Sequence, residues 1–263
     1  MTCLSEPTNL MIPFFRKIRK TLADDNKPLK YFRYAIGEIV LVVIGILIAV
    51  QINNWNENRK DSIEEKAILE NLLENLNLSE IQSELFISGE NISKHELIQI
   101  LGIDSNENKL NPKIISDSIF KNAVWDLQSD IPTFNVYNNL KSTNKLSLIK
   151  NKKINEKFTE LEFRLNKLND ILNDRLSVHQ IRIDDILEKD VNFIPLVKSN
   201  VPSINIENES RNNYSQLLEI KRIRNLLGMK LSFTQDVIDY RKNLDTEIKD
   251  LIILIEKELT KNK

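Results

Sequence analysis

The run Tyr34–Trp55, YAIGEIVLVVIGILIAVQINNW, limits what this chain can fold into more than any other stretch, because its centre, Ile39 to Val50, is uninterrupted apolar sequence. A helix over the whole run covers about 31 Å, the thickness of a bilayer's hydrocarbon core. Tyr34 and Trp55 place amphipathic rings at its two ends, where membrane interfaces favour them. Three other readings fit less well. Glu38 and Gln51 shorten the charge-free core, which would suit a buried soluble helix. A cleaved signal peptide needs small residues after the apolar run, and Ala49 is followed by Val50 and Gln51. A re-entrant segment needs a Pro or paired Gly to turn it. The run reads as a transmembrane helix.

Flanking charge gives the orientation. Arg16, Lys17, Arg19, Lys20, Lys27, Lys30 and Arg33 precede the run, whereas Arg59, Lys60 and Lys66 follow it mixed with Asp61, Glu64 and Glu65. The positive-inside bias predicts a cytoplasmic N-terminus with everything after Trp55 on the opposite side. The chain therefore divides into a basic tail (1–33), a membrane helix (34–55) and an exported domain (56–263). Within the tail, Met11 opens a sensible N-terminus of its own, so residues 1–10 read as optional. Phe14, Phe15, Ile18 and Leu22 share one face of FFRKIRKTL, as in a short helix lying on the inner leaflet.

Inside the span, Glu38, Val42, Gly45, Ala49 and Ile52 share a stripe at 100° per residue. Gly45 and Ala49 form a small-xxx-small pair that admits a second helix closely, which points to self-association. Two placements fit Glu38. It faces a partner helix and accepts a hydrogen bond there, or it snorkels one turn to the interface toward Arg33 or Lys30.

The rest of the chain predicts an all-α protein. Glycine is scarce, five in 263 residues, too few for a turn-rich β fold. The single Cys3 precedes the span, so the exported domain must be held by packing alone. A formal charge of −1 implies no basic face for nucleic acid. With no Pro between Pro28 and Pro112, the span is free to continue as helix, with an apolar stripe at Ile68, Leu69, Leu72, Leu73 and Leu76 and a possible break at Gly89. Residues 102–112 read as a polar loop, 114–127 as a helix holding Phe120 and Trp125, and Phe134 to Leu140 as another. Ile154, Phe158, Leu161, Leu165, Leu168 and Leu172 alternate in fours and threes before drifting to Leu176, Ile183 and Ile186, which predicts a long helix to Lys189. Residues 191–206, with Pro195 and Pro202, form the longest irregular stretch, and two further amphipathic runs lie at 217–231 and 244–259. The expected architecture is one transmembrane helix followed by an antiparallel bundle with long coiled-coil-like helices.

Motifs for chemistry are sparse. His95-Glu96-Leu97-Ile98-Gln99 starts like the helical zinc signature but has Gln99 where the second His belongs. His179 falls on a bundle seam, where a hydrogen-bonded core histidine is the better reading. Asp184-Asp185 and Glu64-Glu65 read as surface acids and Lys221, Arg222 and Arg224 as a solvated face. No catalytic, cofactor-binding or metal-ligating set is expected, and the chain is read as a non-enzyme.

FFRKIRKTL followed by YAIGEIVLVVIGILIAVQINNWNENRK resembles the start of a bacterial domain-of-unknown-function family of single-span envelope proteins, common in the flavobacterial group. LKSTNKLSLIKNKKI at 140–154 is similar to the same family more loosely. That family typically begins near the position of Met11. The resemblance implies an inner-membrane protein with a periplasmic helical domain, and it brings no catalytic residues. The expected partners are the lipid bilayer, a second copy through the membrane helix and an unidentified envelope protein. The leading expectation is thus a membrane-anchored scaffold or interaction module. The alternative is a sensory module that passes a periplasmic binding event to a partner of its short tail.

Overall fold

A computed structural model gives the fold for residues 28–104 and 115–261. Cys3, the FFRKIRKTL segment and most of the 102–112 loop lie outside these described residues. The described chain is mostly helical, with no strand among the described residues. Its helices are α1 (Pro28–Leu101), α2 (Asp117–Phe120), α3 (Asn135–Ser142), α4 (Lys152–Val178), α5 (Asp184–Lys189), α6 (Ile194–Val197), α7 (Tyr214–Glu219) and α8 (Lys221–Lys261). Neither Gly89 in α1 nor Gly228 in α8 interrupts its helix.

The chain forms two compact units, Met1–Ile63 and Glu64–Lys263. In the described part of the first, an apolar window of mean hydropathy 2.6 has none of its residues buried. Every large apolar side chain from Ile39 to Ile52 is exposed.

The second unit is built on three long helical segments. Glu65 accepts the Lys150 amide and Glu90 pairs with Arg175, both at a sequence offset of 85, so residues 64–101 of α1 and α4 run parallel. Lys157 pairs with Glu247 and Asp250 on α8, and Lys249 pairs with Glu84, so α8 runs antiparallel to both. Each segment buries residues seven apart: Leu69, Leu76, Ser83, Glu90 and Leu97 on α1, and Leu227, Thr234, Arg241, Ile248 and Ile255 on α8. This is the repeat of a bundle seam.

Local chemistry sets the ends. Gly102 takes φ 64°, and its amide and that of Ile103 cap the carbonyls of Gln99 and Ile98 at 3.0 and 3.3 Å. Two amides folded back across a left-handed glycine stop α1 there. Asn151 caps α4 by accepting the Lys153 amide at 3.1 Å. The helix expected over 114–127 is shorter, Asp117 to Phe120, and widens into a π-helical turn, Lys121–Trp125. A second π turn, His179–Ile183, joins α4 to α5 and accounts for the one-residue offset at which Ile183 rejoins the seam.

Two apolar cores result. Leu69, Leu72, Phe158, Leu161, Leu244 and Leu251 belong to one, and Leu97, Phe120, Ile183, Tyr214 and Leu227 to the other. Phe193 packs edge-on against Trp125, and Leu196 is buried in the second core, so the irregular stretch closes over that end of the bundle.

Candidate functional site

Between the two cores lies a layer of buried polar groups. Glu90 occupies an α1 seam position and is 1% exposed. Arg175, on the facing seam of α4, binds it through two parallel bonds of 2.7 and 2.8 Å. Arg241 of α8 brings its Nε to 3.4 Å from the same carboxylate and stacks its guanidinium 5.3 Å from the Phe86 ring centre. One carboxylate thus serves two guanidiniums, in the forked geometry that suits arginine.

Most of the remaining donors reach backbone, while the buried Nε atoms of Arg175 and Arg241 have no hydrogen bond. Arg175 also donates to the Gln128 carbonyl, and Arg241 donates to those of Asp130 at 2.8 Å and Gln128 at 3.4 Å. Lys230, one turn before Thr234 on α8, donates to the carbonyls of Val124 and Asp126. The first π turn and the extended residues after it therefore present carbonyls that three buried cations satisfy. Ser79 and Gln82 of α1 hold the same segment further on, donating to the Thr133 carbonyl at 2.7 Å and accepting its amide at 2.9 Å.

Burial, with Arg175 adding to it, pushes the Lys230 amine down to about 7, although Asp126, Glu90 and Asp184 pull the other way. Burial, then Lys230 and Arg175, pushes His179 down to about 4. Its Nε2 lies 3.6 Å from an Asp184 oxygen and its Nδ1 has no partner, so the histidine is in the core but is not the hydrogen-bonded one expected. A cavity of about 470 Å³ opens beside the layer, with Glu90, Glu96, Asp126, Arg175, Lys230 and Thr234 among its walls. Its chemistry is that of a polar recess with cations at the base and the half-exposed Asp126 among its walls.

Of the residues singled out in the sequence, Glu96 and His179 lie at this layer and most of the others fall elsewhere. Gly45 and Ala49 lie on the exposed apolar helix, where a Cβ added at Gly45 would meet nothing within 4 Å. Glu38 is partly buried, Trp55 is 68% exposed, and the Tyr34 side chain lies outside the described residues. His95 and Gln99 bond to each other at 2.8 Å, and Glu96 turns to the cavity instead. Among the described residues, no group of three or more His, Cys, Asp or Glu could hold a metal ion. Asp185 pairs with Arg222 and Lys189, and Arg224 donates to the Leu101 carbonyl, so that charged face braces helix ends. Glu90, Lys230 and Arg241 were not picked out by apolar spacing, and Leu176 stood in for Arg175.

A family model described only as a family of unknown function (DUF6090) matches residues 38–107, about a quarter of the chain. It covers most of the apolar helix and α1 down to its glycine stop. No curated protein and no solved structure matches the chain. The fold defines an all-α protein that has, among the described residues, one helix long and apolar enough to cross a membrane.

Proposed function

We propose that this is a non-enzymatic, single-pass membrane protein. Its basic tail lies in the cytoplasm, its helix crosses the inner membrane, and its periplasmic bundle is an interaction module for another envelope component. The observation that carries the reading is the apolar window of the first unit, none of which the fold buries. Exposing that much contiguous apolar surface to water is too costly for a solvated helix, and a bilayer removes the cost. The bundle adds to this: the donors of its polar layer are used chiefly on its own carboxylate and carbonyls, which suits a rigid adaptor. One feature favours the sensory alternative, the cavity beside Lys230, which is large enough for a small polar ligand.

The test is extraction and labelling in the native host. In a Cys3→Ser background, Thr21→Cys and Ser177→Cys are probed separately with a membrane-impermeant maleimide. The protein should resist carbonate extraction, Ser177→Cys should label in intact spheroplasts, and Thr21→Cys only after lysis. Release by carbonate would overturn the anchor, and the reversed labelling pattern would overturn the orientation.

A further inference from the structure

Within the second unit, α1 carries an apolar stripe of its own. Leu78, Ile81, Leu85 and Ile92 are 54%, 57%, 65% and 59% exposed. Spacings of three, four and seven put them in one narrow sector of the helix, roughly opposite the buried Leu69, Leu76, Ser83, Glu90 and Leu97. A lone exposed leucine is ordinary, but four in seven-residue phase on a face otherwise polar are not. Elsewhere in the unit such side chains are scattered or screened, as at Phe163, over which Arg164 and Lys167 lie.

The flanks say what this stripe accepts. Asn77, Glu84 and Asn91 line one side, and Gln82, Gly89 and Glu96 the other. In a parallel pair of identical helices, each residue of the first set meets the one five positions later in its partner. The meetings are Asn77 with Gln82, Glu84 with Gly89 and Asn91 with Glu96, no two like charges face each other, and Gln82, Glu84 and Glu96 keep their bonds to Thr133, Lys249 and Asn122 of their own chain. Nothing within 4 Å in the same chain would meet a Cβ at Gly89, so that flank is open to close approach.

We propose that two copies of this chain pair in parallel along Leu78–Ile92, outside the membrane. The inference rests on the anchored reading above, because anchoring gives both copies the same direction and raises their local concentration. It needs that help. A patch on the order of a few hundred Å² per copy leaves the pair short of the roughly 1,200 Å² of a free-standing interface. Leucine at the first seam position and isoleucine at the second favour more than two strands in free helices, but here the bundle behind α1 leaves one face open, which suits two.

The full chain in native membranes is the material for the test. In a Cys3→Ser background, Leu85→Cys is compared with Asn173→Cys on the exposed side of α4 under mild oxidation, with carbonate resistance and helicity measured alongside. Leu85→Cys should give at least fivefold more disulfide-linked homodimer than Asn173→Cys, and adding Ile81→Glu should cut it at least fivefold. Equal linkage at the two sites, linkage unaffected by Ile81→Glu, or an adduct of another mass in place of the homodimer would each overturn the seam while the protein stays carbonate-resistant. Loss of carbonate resistance in the Cys3→Ser parent would instead be failure of the anchored reading.

Discussion

Glu90 is the residue on which the polar layer turns. Replaced by Gln, it leaves Arg175 and Arg241 facing each other in the core with only carbonyl partners. The cost should be about 3–5 kcal/mol, the range for removing one member of a buried ionic set, read as a lower denaturant midpoint. Glu90→Leu combined with Arg175→Met and Arg241→Met removes the whole ionic set and should be less destabilising than Glu90→Gln alone. His179 gives a prediction in pH. Its folded value near 4 lies below the ordinary 6.5, so between those values the unfolded chain takes up a proton that the folded chain refuses. Stability from this group is fully present above pH 6.5 and is lost as pH falls toward 4. Asp184, which burial holds above the usual carboxylate range, titrates in the opposite sense. Denaturation series at pH 7 and pH 4 should show His179→Gln losing less stability over the interval than the native chain does, by on the order of 3 kcal/mol.

Between the helices, the turn after α3 depends on Asn144, which holds φ 58° and ψ 19°. A β-branched side chain is strained in that left-handed conformation, so Asn144→Val should cost about 1–2 kcal/mol while Asn144→Gly stays near neutral, as thermal unfolding would show. The long helices were legible because their apolar residues repeat: Ile154, Phe158, Leu161, Leu168 and Leu172 are all buried in the structure as the spacing predicts. The site was not legible by the same signal. Apolar counting selects Leu176 over Arg175, yet Arg175 and His179 continue the seam, and Lys230, Thr234 and Arg241 do so on α8. A polar residue found at a seven-residue seam position is the sign that would have located the layer. The π turns were hidden for a different reason, since one inserted residue in a helix changes phase without changing composition.

At the scale of the whole molecule, both apolar cores and the polar layer lie within Glu64–Lys263. That fragment should be soluble, helical and cooperative in unfolding without detergent, whereas chains retaining 34–55 should need it; circular dichroism and sedimentation of the two forms check this. The layer has one more consequence. A helix whose inward side chains recur every seven residues fits its neighbours almost as well after sliding by two turns, and leucine against leucine does not object. Glu90 does. Slide α8 either way and the carboxylate meets Thr234 or Ile248 where Arg241 had been, and the guanidinium faces Ser83 or Leu97 with no carboxylate to answer it. The charged layer therefore works like the single cut tooth of a key: it adds little grip, but it lets the three long helices close in one alignment and refuses the next.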